Sequence, residues 1–294
     1  MKKIISLFLV LALSAAVFAA CSKDAEKSEQ KEETDAVSIT VDSHYEDFDE
    51  SAVNAYEKIC QAIMNGDEQV NFNMLQLENV NQLYYTSFPL SSLVESIEIL
   101  PDNSGYQIKY KNSLEEHKKL VDEFDSMILS IKEECGYSQV STDNYIFNVY
   151  TYITKNFTAD SSVLTPYDAL VQKKGYSSAI NALFEYLILQ GGGKACHVVG
   201  NGEASFISLV QFEGKWYYFD AYSEIEDNQG KALKFFAMSD TSLNATYSYT
   251  DGEKVTETGD GAFDKLRQSQ SFEINGTKVT AALSDGSSFE IDLA

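Results

Sequence analysis

The residues of this chain that could carry acyl-transfer chemistry are two serines and one aspartate. Ser177 stands at the start of an apolar stretch, Ser205 precedes an alternating pattern, and Asp220 follows a run of aromatic residues. A serine hydroxyl is un-ionised near neutral pH and attacks a carbonyl only when a neighbouring base removes its proton. The chemistry available to these serines therefore depends on which group could act as that base.

The chain has three histidines, and only one of them is a serious candidate for the base. His44 falls in a polar tether, and His117 falls on a predicted helix, where it is either half-buried or faces solvent. His197, in "ACHVVG", lies on a predicted strand, so it and Cys196 point to opposite faces. Two interpretations stay open: one of this pair serves as a displaced catalytic group, or both have core or edge positions. The second is favoured.

The other cysteines give no metal site. Cys60, Cys135 and Cys196 are widely spaced and match neither a CxxC metal pattern nor a disulfide framework. Cys60 and Cys135 are the best pair if a disulfide forms, but buried free thiols are the favoured interpretation. We predict no metal and no cofactor.

The N-terminus predicts export. Residues 1–20 carry two lysines, an apolar run and small residues before Cys21, which is typical of a signal peptide. The ending "VFAAC" resembles a bacterial lipobox, which implies cleavage before Cys21 and lipidation of that cysteine. An ordinary signal cleaved near Ala20 is the alternative. Residues 21–48 are polar and predicted to be a disordered tether, so the chain would be lipid-anchored to the outer face of the bacterial cytoplasmic membrane.

The charge of the chain excludes some partners. The formal net charge is -23, which disfavours nucleic acid, because phosphates are bound by Lys and Arg. It also disfavours electrostatic attachment to anionic lipid. The membrane contact must then come from the acyl chain on Cys21.

The elements that would position the chemistry form three regions, residues 49–140, 141–250 and 251–294. Helices precede strands instead of alternating with them, which favours an α+β fold. Hydrophobic periodicity and turn signals predict helices at residues 50–65, 114–136, 142–156 and 176–190, with a short helical turn within 167–175. They also predict hairpins at 93–112 and 205–222, a strand at 195–200, a strand or strand end at 232–239, and three short β segments at 271–276, 277–284 and 287–294.

Residues 142–250 resemble the transglutaminase-like domain of bacterial surface proteins, which has a papain-like fold. Gly175 matches the glycine of the nucleophile turn, which puts Ser177 at the cysteine position. Counting back nine residues from Gly214 puts Ser205 at the histidine position. Further matches are the lead-in residues Tyr167, Ala169 and Leu170 and the hairpin residues Gly214, Trp216, Tyr217 and Asp220. An unrelated hairpin with a buried Trp216 is the alternative.

The resemblance implies a core of helices packed on an antiparallel sheet, with an N-terminal α/β extension and a C-terminal β segment. It also implies a triad with both proton-handling groups replaced, because the family uses a cysteine, a histidine and an aspartate. Loss of such a unit costs on the order of 10⁶ in turnover. Asp220 would then accept hydrogen bonds from Ser205, Ser208 or the backbone. The predicted cleft is lined by Tyr176, Phe206, Ser208, Trp216 and His197.

Three functions remain open from the sequence. The favoured one is a non-catalytic surface lipoprotein that binds a protein, peptide or cell-wall glycan. The rival is an active peptidase or amidase that uses Ser177 with His197 as a displaced base. The third is a structural module that docks through residues 251–294.

Overall fold

The computed structural model describes residues 37–40, 50–71, 88–102, 104–198, 206–246 and 259–293. The signal peptide, Cys21, His44, most of the tether and Ser205 lie outside the described residues. Ile39–Ala294 groups as one unit, and Met1–Ser38 is grouped apart from it.

The N-terminal region joins two helices to a small antiparallel sheet. The side-chain hydroxyl of Ser113 accepts a hydrogen bond from the Glu116 amide and so starts the second helix, as its capping pattern predicts. The sheet has the order β1-β3-β2, and its first strand was too short to be predicted. The elements are helix α1 Glu50–Asn65, strands β1 Gln69–Asn71, β2 Val94–Ile99 and β3 Gly105–Tyr110, a 3-10 turn Pro89–Leu93, and helix α2 Leu114–Glu134.

The central region packs helices on a three-stranded antiparallel sheet of order β6-β7-β8. A two-residue parallel pair, β4 with β5, precedes it. The elements are α3 Thr142–Asn156, β4 Thr158–Ala159, α4 Pro166–Gln172, β5 Lys174–Gly175, α5 Ser177–Gln190, β6 Ala195–Val198, β7 Ile207–Phe212, β8 Lys215–Phe219, α6 Ala221–Asn228 and α7 Asp240–Thr246.

The two faces of the central sheet are covered differently. Helix α5 packs against one face and is buried on nearly all sides, which explains its almost continuous apolar sequence. The other face carries an apolar cluster of six buried residues, which we call the outer cluster: Cys196, Ile207, Leu209, Tyr218, Met238 and Leu243.

Of the strand or strand end predicted at 232–239, the structure has a single bridge residue and no continuous strand. Only Met238 pairs with the sheet, through two backbone hydrogen bonds with Tyr218. The segment is held in turns because the buried carboxylate of Glu224 accepts the amides of Lys234 and Phe235. The second hairpin arm is also shorter than predicted, since Asp220 starts α6 instead of continuing the strand.

The C-terminal region is a meander that packs on the rest of the chain. Its strands, in the order β11-β10-β9, are β9 Ser269–Asn275, β10 Lys278–Leu283 and β11 Ser288–Asp292. The Phe272 ring lies 6.1 Å from that of Phe147 on α3, and the Leu293 carbonyl accepts a hydrogen bond from the Asn144 amide. The described chain is thus a mixed α+β fold of helices and antiparallel sheets.

Candidate functional site

A buried polar stripe runs along the face of α5 that meets the sheet. It consists of Ser177, Asn181 and Glu185, which are four residues apart and therefore share one side of the helix. Their exposed fractions are 6%, 0% and 2%. Polar groups this deeply buried must be hydrogen-bonded to be tolerated, so their partners define what the stripe does.

The Ser177 hydroxyl donates its proton to a backbone carbonyl. Its oxygen lies 3.1 Å from the carbonyl oxygen of Phe206, which also accepts the side-chain amide of Asn181 at 2.8 Å. A peptide carbonyl orients a hydroxyl but is too weak a base to deprotonate it. In this arrangement Ser177 acts as a structural donor.

Asp220 uses its carboxylate to build the start of α6. One oxygen accepts the Ser223 amide at 3.0 Å and the Asn181 side-chain amide at 2.9 Å. The other accepts the Ser223 hydroxyl at 2.7 Å. The predicted backbone partner of Asp220 is confirmed, whereas Ser208 donates to the backbone carbonyl of Asn181 instead, at 3.0 Å.

Asn181 connects all of these parts, and sequence reasoning missed it. Its side-chain oxygen accepts the Ala221 amide at 2.8 Å, while its amide group reaches both Phe206 and Asp220. One side chain therefore joins α5, the start of β7 and the first turn of α6. The sequence signal for its role was a polar residue one turn after Ser177 in a helix whose other residues are mostly apolar.

His197 faces α5, but it lies beside Glu185. The pairing of strands β6 and β7 places His197 opposite Ser208. The His197 ring stacks on the Phe206 ring, with the centroids 4.9 Å apart. Its Nδ1 atom lies 3.8 Å from a carboxylate oxygen of Glu185. Glu185 is eight residues after Ser177, which is about 12 Å along a helix axis.

The cysteines in the described part of the chain, Cys60, Cys135 and Cys196, are buried and are not joined by disulfides. Cys196 points away from α5 into the outer cluster. Burial raises the pKa of the Cys135 thiol to about 12 and that of Cys60 further still. Such thiols are poor nucleophiles, because the thiolate is the reactive form.

The structure brings together most of the predicted site residues. Ser177 is part of the stripe itself. Around the stripe lie Phe206, Ser208, Asp220 and His197. Tyr176 stands at the start of α5, with its ring 5.4 Å from that of Tyr222. Trp216 instead packs against the outer cluster on the opposite face.

Metal-binding groups and membrane-spanning helices were considered for the described residues only. None of their His, Cys, Asp and Glu side chains form a group of three or more suited to hold a metal ion. None of their helices combines the length and apolar character needed to cross a membrane.

Comparison with known proteins gives little similarity. No family model matches the chain, and no curated protein matches it. One solved structure, described as a candidate cysteine protease from Cytophaga hutchinsonii, shares 14% sequence identity at a TM-score of 0.29. The similarity covers 36% of this chain and 39% of that chain, and at this TM-score we draw no conclusion from it.

Proposed function

We propose that this protein is an exported lipoprotein whose transglutaminase-like domain is non-catalytic and binds a protein, peptide or cell-wall glycan. The observation that carries the proposal is the hydrogen-bonding of the stripe. Ser177 gives its proton to a carbonyl, and Asp220 holds Asn181 and the first turn of α6. These are the contacts of a scaffold, and among the described residues the hydroxyl is bonded to a peptide carbonyl and not to the base that acyl transfer needs.

The surface above the start of α5 is the proposed binding site. The Leu164 side chain is 59% exposed there, and its carbonyl accepts the Ser178 hydroxyl. The adjoining rings of Tyr176 and Tyr222 are only partly buried. Exposed apolar surface beside tyrosine rings suits stacking on a sugar ring or a peptide side chain, with the phenol groups supplying hydrogen bonds.

Labelling with a fluorophosphonate separates this proposal from the rival enzyme. We expect no labelling of the wild-type protein between pH 5 and 9, since the Ser177 hydroxyl donates to a peptide carbonyl and contacts no base among the described residues. Ser177→Ala and His197→Ala are the matched variants. Labelling that both variants abolish would establish a serine peptidase or amidase that uses His197 as the displaced base.

The lipid anchor is a separate part of the proposal. Mass spectrometry of the mature N-terminal peptide from the native host should find an acylated Cys21. Each buried CH₂ of an acyl chain contributes about 0.8 kcal/mol of membrane binding, so Cys21→Ala should release the protein from membranes. An unmodified N-terminus starting near Ala20 would instead indicate an ordinary secreted protein.

A further inference from the structure

A cavity that is widely open to solvent lies away from the stripe, between the end of α2 and the side of α3 that does not face α5. Its volume is about 270 Å³, slightly below the ~300–1,000 Å³ of typical small-molecule sites. A ligand the size of an amino acid or dipeptide would suit it. The lining residues are Glu134, Cys135, Asn148, Thr151, Tyr152, Lys155 and Asn156.

The cavity carries one charge of each sign. Glu134 and Lys155 both line it, and the described residues form no ion pair between them. The Lys155 ammonium lies 4.4 Å above the ring of Phe272, a cation–π contact that fixes its place at the cavity. Although the Lys155 side chain is exposed, partial desolvation by the neighbouring protein lowers its pKa, so an anion bound beside it would stabilise its charged form.

Uncommitted hydrogen-bonding groups line the cavity together with these charges. The Asn148 side-chain amide donates one proton to the Cys135 carbonyl at 3.0 Å. The Thr151 hydroxyl donates to the Asn148 carbonyl at 3.0 Å. Within the described residues this leaves the Asn148 side-chain oxygen, its second amide proton and the Thr151 lone pairs for a ligand.

We propose that this cavity binds a free amino acid or short peptide as a zwitterion. Lys155 binds the carboxylate, Glu134 binds the ammonium, and Asn148 and Thr151 hydrogen-bond to the groups between them. The net charge of -23 favours this class over a simple anion, because a ligand without net charge is not repelled by the surrounding field. The inference does not depend on the proposed function of the stripe.

Calorimetric titration of the full mature chain in detergent, with alanyl-alanine as the probe, tests the proposal. We expect saturable binding. Blocking the amine, in N-acetyl-alanyl-alanine, or the carboxylate, in alanyl-alaninamide, should weaken it at least tenfold each. Equal affinity for the blocked forms, or no binding of the free dipeptide at millimolar concentration, would overturn the proposal.

Matched variants locate the binding. Lys155→Met and Glu134→Gln should each reduce the affinity at least tenfold, because both side chains are exposed and their replacement leaves the fold intact. Lys231→Met and Glu133→Gln, which make the same charge changes outside the cavity, should leave it unchanged. Ser177→Ala should also have no effect. Binding that is lost in Ser177→Ala and kept in Lys155→Met would place the ligand at the stripe and refute the assignment.

Discussion

Ser177 and Asp220 show how residue type decides what a buried position can do. Both are nearly inaccessible to solvent, and their hydrogen-bonding groups are directed at neighbouring protein atoms. A thiol at position 177 would ionise far more readily than a hydroxyl. In the described part of the chain, the hydrogen bonds of the two side chains join α5 to the start of β7 and to the first turn of α6.

At the residue scale, Asp125 on α2 gives a prediction on pH. Burial, and secondarily Asp122, raises the pKa of its carboxyl to about 6, and its Oδ1 atom has no hydrogen-bond partner among the described residues. The unfolded pKa is about 3.9, so the folded state binds the extra proton. This group therefore contributes stability below about pH 4, and that contribution is lost as the pH rises through 6.

Asp125→Asn should remove this dependence. We expect the variant to be more stable than the wild type at pH 7, with the difference shrinking towards pH 4. Urea denaturation at pH 4, 5, 6 and 7 measures it. A difference that grows as the pH falls would show that the ionised carboxylate stabilises the fold.

At the element scale, helix α5 organises the centre of the molecule through Asn181. Asn181→Ala removes the acceptor of the buried Ala221 amide and one donor to the Asp220 carboxylate. That carboxylate keeps its hydrogen bonds to Ser223. Each unsatisfied buried group costs about 1–3 kcal/mol, so we expect a loss of about 3 kcal/mol in unfolding free energy. Ser178→Ala, on the partly exposed side of the same helix, should change it by less than about 0.5 kcal/mol. Equal losses in the two variants would contradict the role of Asn181.

The sequence predicts a helix well when its periodicity and its end signals lie within the helix itself. Helices α1 and α3 were predicted at their observed bounds, because an apolar stripe of helical period and a clear stop or cap define each one. Helix α6 was missed because its aromatic start continues the strand pattern of β8. Asp220 ends that strand by capping α6. Its contact with Ser223 is local in sequence, whereas its contact with Asn181 on α5 is not.

The positions of some site residues could be predicted from the sequence, and those of others could not. The motif spacing identified Ser177 and Asp220 as site residues. It also predicted that Phe206 and Ser208 lie near them. Trp216 was misplaced relative to α5 because strand alternation puts it on the opposite face from Tyr217. The contact between His197 and Glu185 could not be predicted, since it joins a strand to a helix through their packing.

At the scale of the whole molecule, the C-terminal meander forms part of the core. Phe263 is buried against Phe212 and Tyr217, and Leu266 and Leu293 are also buried. Burying each such side chain contributes about 1.5–3 kcal/mol. Deleting residues 259–294 should therefore lower the melting temperature sharply or leave the protein insoluble. An unchanged melting temperature would instead support a separate docking module, the third function considered above.

Among the described residues Ser177 bonds to a carbonyl and to no base, and the thiol pKa of Ser177→Cys shows whether the complete protein supplies one. Alkylation by iodoacetamide as a function of pH reports that pKa when it is read by mass spectrometry on the peptide that contains residue 177, because position 177 and the other described thiols are all buried. The account predicts a midpoint at or above about 8.5, the value of a free cysteine. It also predicts that adding Ser205→His lowers the midpoint. A midpoint below about 6 in Ser177→Cys alone would reveal a working base beside Ser177 and contradict the account.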